Sequence, residues 1–127
     1  MNEYIISFGS NINPEHNIEK AKSELKKLTE VISESAFIYT KPLLFKDQPD
    51  FLNGVILIRS EMDIPNLKDQ LLMIEMKLGR VRDFEKNGPR TIDLDIIVCN
   101  NRIIDDDVYE RDFLQNAIRQ VIPEFEI

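Results

Sequence analysis

Leu78-Gly79-Arg80-Val81-Arg82-Asp83-Phe84-Glu85-Lys86-Asn87, followed by Gly88-Pro89-Arg90-Thr91-Ile92-Asp93-Leu94-Asp95-Ile96-Ile97-Val98, joins three kinds of chemistry in one run. Thr91 to Val98 reads as a strand, because Ile92, Leu94, Ile96, Ile97 and Val98 give it β-branched and apolar bulk. Side chains alternate along a strand, so Asp93 and Asp95 share a face, with Cα atoms roughly 6.5–7 Å apart. Two carboxylates at that spacing suit one or two hard divalent cations. Magnesium needs only one or two of them, with phosphate oxygens and water completing its octahedron. Ahead of them Arg80, Arg82, Lys86 and Arg90 form a cationic loop, and guanidinium forks pair bidentately with phosphate oxygens. Asp-x-Asp alone also fits a solvated edge strand. The adjacent arginines and the Gly88-Pro89-Arg90 turn favour a polyphosphate site.

Working outward, Tyr4 to Phe8 alternates as a strand and Gly9-Ser10-Asn11 ends it. Asn13 and Pro14 open a helix to about Leu28, whose buried stripe is Ile18, Ala21, Leu25 and Leu28. Val31 to Tyr39 reads as a second strand, residues 40–49 as a loop, and Phe51 to Arg59 as a third strand. Asp63 caps a second helix with the stripe Ile64, Leu67, Leu71, Ile74 and Leu78, stopped by Gly79. The Asp93–Asp95 strand follows. Asp105-Asp106-Asp107 reads as a solvated turn, since consecutive side chains point in different directions. Residues 113–121 read as a short helix, and Pro123 to Ile127 as a tail. The order is strand, helix, strand, strand, helix, strand. That predicts an α+β, ferredoxin-like βαββαβ fold, an antiparallel sheet with two helices on one face and the other face free for a site. One domain over residues 1–127 is expected.

Composition narrows the function classes. With 43% hydrophobic and 31% charged residues the chain is an ordinary globular one. Its net charge of −7 lacks the basic footprint of a nucleic-acid binder. The segment from Gly79 to Arg90 nevertheless sets four cations against Asp83 and Glu85, a cationic island suited to an anion. The one cysteine, Cys99, permits no internal disulfide and reads as a small packed side chain, and the one histidine, His16, reads as exposed and idle. No apolar run approaches a membrane span and no signal segment is apparent, so a cytoplasmic location is expected; a monomer is expected as well.

Gly88-Pro89-Arg90-Thr91-Ile92-Asp93-Leu94-Asp95-Ile96 resembles the signature of the 6-hydroxymethyl-7,8-dihydropterin pyrophosphokinases, enzymes of folate biosynthesis. Gly9-Ser10-Asn11, Asp47-Gln48-Pro49-Asp50-Phe51-Leu52-Asn53, and Ile74-Glu75 before Leu78-Gly79-Arg80 resemble further motifs of that family, in family order. The resemblance implies transfer of pyrophosphate from ATP to the hydroxymethyl oxygen of the reduced pterin, releasing AMP. It implies two magnesium ions on Asp93 and Asp95, catalytic roles for Arg80 and Arg90 beside those carboxylates, and ATP contacts from Arg82, Arg90, Ile96 and Arg111. It assigns the pterin to Thr40, Leu43, Phe51, Asn53 and Phe113. Taken by itself, Phe51 also fits a core residue and Asn53 a strand punctuation. Glu75 matches a family glutamate to which the sequence assigns no role.

The chain departs from the family after Asp107, where it is shorter by about ten residues. A Pro-His pair that helps hold ATP has no counterpart, the loop tryptophan is Asn87, and the C-terminal extension is missing. These losses fall on ATP binding and loop closure rather than on metal or pterin. Gly79 and Gly88 bracket the segment 83–90, and its gating is a hypothesis that the sequence alone does not decide. Two functions are therefore carried forward: a compact working pyrophosphokinase, and a non-catalytic member that binds pterin or nucleotide.

Overall fold

The structure is a computed structural model, and it describes residues 1–42, 47–80 and 90–127. Leu43, Arg82 and residues 83–89 of the segment considered for gating lie outside the described residues. The central strand β1 (Asn2–Ser10) pairs antiparallel with β4 (Phe51–Ser60) on one side and β5 (Asp93–Cys99) on the other. Beyond β4 lie β2 (Glu30–Glu34) and β3 (Ile38–Thr40), and beyond β5 a two-residue β6 (Arg102–Ile103). The order β2-β4-β1-β5-β6 is the ferredoxin-like arrangement with a short added edge.

Helices α1 (Pro14–Leu28) and α2 (Ile64–Lys77) cover one face. Ile18, Ala21 and Leu25 from α1, and Leu67, Leu71 and Ile74 from α2, pack on Tyr4, Ile6, Phe8, Ile56, Ile58, Leu94 and Ile96. Leu28, expected in that stripe, is instead exposed at the helix end. Asn13 does precede α1, but in a left-handed conformation (φ 43°) with no side-chain cap, whereas Asp63 caps α2 by accepting from the Asn66 N–H at 3.0 Å.

The second strand of the sequence reading is two strands, broken at residues 35–37. Ser35 still serves the ladder, its N–H and Oγ bonding Val55 at 2.9 Å each. The Ala36 N–H turns away to Gln120 Oε1, 2.7 Å distant on the last helix. Phe37 then lies over Gly54, edge-on to Phe8 and beneath the Lys22 ammonium. A Cβ at Gly54 would stand 2.6 Å from the Phe37 ring, so only glycine admits that packing.

The far face is half covered rather than free. Helices α3 (Asp107–Glu110) and α4 (Asp112–Val121) lie against it. Val108, Leu114, Ala117, Ile118 and Phe125 bury Ile5, Val55, Leu57, Ile97 and Val98. Phe125 is therefore a packed anchor and not part of a loose tail. The cause of the covering is a bulge in β5. Ile6 pairs Ile96 while Ile5 pairs Val98, leaving Ile97 unmatched, so Ile97 and Val98 both serve the second core. No helix among the described residues is long and apolar enough to cross a membrane.

Candidate functional site

Sheet register builds the uncovered half of the far face. Gly9 lies between Asn53 on β4 and Asp93 on β5, and Ser7 lies between Val55 and Asp95. The middle strand thus offers only a glycine and a serine, so the face is hollow there. The flanking strands lie about 10 Å apart across it, since each ladder step is close to 5 Å. Asp105, Asp107, Arg111 and Phe113 close the hollow from the other end, making a cleft of about 230 Å³.

Asp93 and Asp95 share this face, as the strand alternation requires. Asp95 is open to the cleft but recessed among other acids. Desolvation pushes its pKa up to about 7, with Asp93, Asp105 and Glu75 adding to the rise and Arg80 opposing it. A group in that condition takes up a divalent cation readily, because the cation relieves the crowding of like charge. Among the described residues no three metal-ligating side chains converge.

Arg80 is fixed by the end of α2. Gly79 adopts φ 92°, its N–H bonds Met76 O at 3.1 Å, and the Arg80 N–H bonds Glu75 O at 3.0 Å. This is a Schellman turn, and it sets Arg80 over Glu75. The Arg80 Nη1 reaches Glu75 Oε2 at 2.7 Å and Asp93 Oδ1 at 3.0 Å. Glu75 is buried, and its Oε2 also accepts the Leu94 N–H at 2.8 Å.

On the β4 side, Asn53 donates from Nδ2 to Thr40 Oγ1 at 2.5 Å and to Phe51 O at 3.1 Å. Thr40, Phe51 and Asn53 therefore form one corner, with Thr40 directly paired to Phe51. Phe113 lines the same cleft as Asn53. Gly9-Ser10-Asn11 ties these parts together. Buried Asn11 donates to Gln48 Oε1 at 2.8 Å and to Pro49 O at 3.0 Å, while its Oδ1 accepts the Arg90 N–H at 2.8 Å. Ser10 Oγ adds a bond to Thr91 O at 2.6 Å. A second hollow, about 600 Å³, lies between α2 and β5, lined by Ile64, Leu71, Leu72 and Ile96 and by the charged Lys68, Asp69, Glu75 and Asp95. Beside it, β5 pairs with β6 only at Val98 and Cys99 among the described residues, so part of its edge is open.

The structure thus brings Arg80, Asp93 and Asp95 together. It puts Thr40, Phe51 and Asn53 in one corner, Arg111 and Phe113 on the cleft wall, Ile96 in the second hollow, and Arg90 on Asn11. The sequence reading missed Asp105 and Asp107, which face the cleft from either side of exposed Asp106. Their own Asp-x-Asp spacing was the available signal, hidden by the aspartate between them. It also missed the α2–β5 hollow, which no local pattern announces.

Fold and cleft define a ferredoxin-like protein with paired carboxylates and a clamped arginine at the open half of its sheet. The pattern of the 7,8-dihydro-6-hydroxymethylpterin-pyrophosphokinase (HPPK) family matches residues 5–123, and the chain belongs to that family. It is 37% identical to the 2-amino-4-hydroxy-6-hydroxymethyldihydropteridine pyrophosphokinase of Haemophilus influenzae, over 96% of this chain and 79% of that protein. It is 37% identical to the protein of the same name from Synechocystis, over 77% of this chain and 51% of that one. It is 41% identical to the folic acid synthesis protein fol1 of Schizosaccharomyces pombe, over 94% of this chain but 18% of that protein. The chain thus spans most of the first relative, about half of the second and a minor part of the third.

Proposed function

We propose that the chain transfers pyrophosphate from ATP to the hydroxymethyl group of 6-hydroxymethyl-7,8-dihydropterin, giving AMP. The observation that carries this reading is the meeting of Arg80, Asp93 and Asp95 between two differently lined hollows. The α2–β5 hollow sets an apolar wall of Ile64, Leu71, Leu72 and Ile96 beside Lys68 and Asp69, which suits a nucleobase with polar groups at its edge. The Thr40–Asn53 corner, with Phe51 and Phe113, suits a flat heterocycle needing stacking and edge hydrogen bonds. The phosphates of a nucleotide placed in the first would then extend to the carboxylates.

Asp93 and Asp95 would hold magnesium, two ions being expected, which would supply charge neutralisation on the phosphoryl oxygens. Arg80 and Arg90 are the proposed cationic partners of the transferring group, Arg82 and Arg111 those of the other phosphates. Leu43 is assigned to the pterin with Thr40. The new bond joins the hydroxymethyl oxygen to the β-phosphorus, and the bond from that phosphorus to the AMP oxygen breaks. No covalent enzyme intermediate is required, so positioning and electrostatics supply the rate.

The test is AMP release from ATP, magnesium and the pterin by purified protein, with Asp95→Asn as control. Pterin-dependent AMP that disappears in the control supports the enzyme. Pterin binding by calorimetry without AMP would instead favour the non-catalytic reading, and would fit the missing Pro-His pair.

A further inference from the structure

Among the described residues, Glu75 is the one buried carboxylate facing this site that the proposed chemistry leaves without a task. Its position is costly in itself, because it lies in the last turn of α2, where the helix's negative end disfavours another negative charge. Two side-chain bonds offset that cost, beside one from its backbone. The backbone carbonyl of Glu75 takes the Arg80 N–H, its Oε2 takes Arg80 Nη1 at 2.7 Å, and the same oxygen takes the Leu94 N–H at 2.8 Å. Leu94 stands between Asp93 and Asp95, and its N–H points away from β1. One carboxylate therefore fixes both the arginine and the strand that carries the two acids.

The same Nη1 that Glu75 holds also bonds Asp93 Oδ1 at 3.0 Å. The two carboxylates differ in how freely they can let go. The Glu75 side chain is only 4% exposed, whereas that of Asp93 is 41% exposed. We infer that Glu75 is a positioning residue, a fixed tether that keeps Arg80 in place while Asp93 is surrendered from the arginine to a divalent cation. Without cation, Arg80 shields Asp93. With cation, one Nη1 proton loses its carboxylate and becomes free for a phosphate oxygen, while Glu75 prevents the arginine from following Asp93 or swinging away. This rests on the proposed function, because it takes Asp93 as a metal ligand.

The decisive experiment is a double-mutant cycle read by Mn²⁺ binding, with Mn²⁺ alone and electron paramagnetic resonance as the readout. Glu75→Gln leaves Arg80 with Asp93 as its sole charged partner of the two. Mn²⁺ binding should then weaken about fivefold to tenfold in the presence of Arg80, and less than about twofold in an Arg80→Gln background. Turnover of Glu75→Gln should fall about 10²-fold, with the KM for pterin within about twofold of the parent. An equal loss of Mn²⁺ affinity in both backgrounds would mean that Glu75 acts only through its charge, and would overturn the tether while leaving the pyrophosphokinase intact. If the parent protein makes no AMP and its Mn²⁺ binding ignores Asp93→Asn, the proposed function and the tether fall together. Should Glu75→Gln fail to fold, the parent answers the same question. Its Arg80 Nε–Hε resonance, identified by its loss in Arg80→Gln, should move on Mg²⁺ titration, and a stationary signal would overturn the handover.

Discussion

The two halves of the far face belong to the same strands and differ by two steps along them. Toward one end, Leu57, Ile5 and Val98 form an apolar row under α4. Toward the other, Asn53, Gly9 and Asp93 form a polar row that remains open. The sheet's pairing differs between them at one point, the bulge that leaves Ile97 unmatched in the covered half. The other difference is the middle strand, which passes from Ile5 through Ser7 to Gly9. Large apolar side chains recruit a helix, and small ones leave a hollow whose walls are the charged residues of the outer strands. A stable end and a chemical end are thus made by side-chain size along one strand, and the energetic cost of the acidic end is carried by the apolar end.

That contrast can be broken from either side. The largest effect is expected in the open half. Asp95→Asn should lower AMP formation by at least about 10³-fold, with a urea midpoint equal to or above the parent's, because it removes one of several crowded acids. Its counterpart in the covered half is Ile118→Ala. Ile118 is fully buried, and truncation should cost about 2–5 kcal/mol in urea unfolding, with activity per folded molecule retained. If Ile118→Ala abolished turnover in fully folded protein, the two halves would not be separable. Smaller is Asn53→Ala, which removes the bond to Thr40 and should raise the KM for pterin about tenfold with kcat less affected. Steady-state kinetics against pterin concentration reads it.

Smallest, and most diagnostic, is pH. The folded protein holds a proton on Asp95 up to about 7, whereas an unfolded chain releases it near the ordinary carboxylate value. Where the folded state binds the extra proton, stability falls as pH rises. Metal-free protein should therefore lose a little stability between about pH 4 and about pH 7, and Mg²⁺ should restore it above that range. Thermal unfolding with and without Mg²⁺ across that interval checks the sign; a rise in metal-free stability would contradict it.

Much of this was legible in the chain because short-range rules govern it. Strand alternation put Asp93 and Asp95 on one face, Gly79 marked the end of α2, and the order of elements gave the ferredoxin-like sheet. The covering of the far face was not legible, since it depends on an unmatched residue in β5 and on a helix more than a dozen residues away. The break near Phe37 was hidden for a like reason. It requires Gly54 below and Gln120 beside it, and neither is a neighbour in sequence. Glu75 could be matched but not understood from the chain, because its partners are a turn's backbone, a strand's N–H and an arginine that meet only in the folded sheet.

Asn11 has a consequence for how such a chain tolerates insertions and deletions. Its side chain is both donor and acceptor, and it spends each function on a different stretch: the amide nitrogen on Gln48 and Pro49, the oxygen on Arg90. The roots of two long connections are therefore located by one amide and not by the path the backbone takes to reach it. Segments between those roots can gain or lose residues at a modest cost in loop closure while the roots stay in register. Aspartate at this position would keep the acceptor and forfeit the donor, uncoupling one connection from the other without removing either.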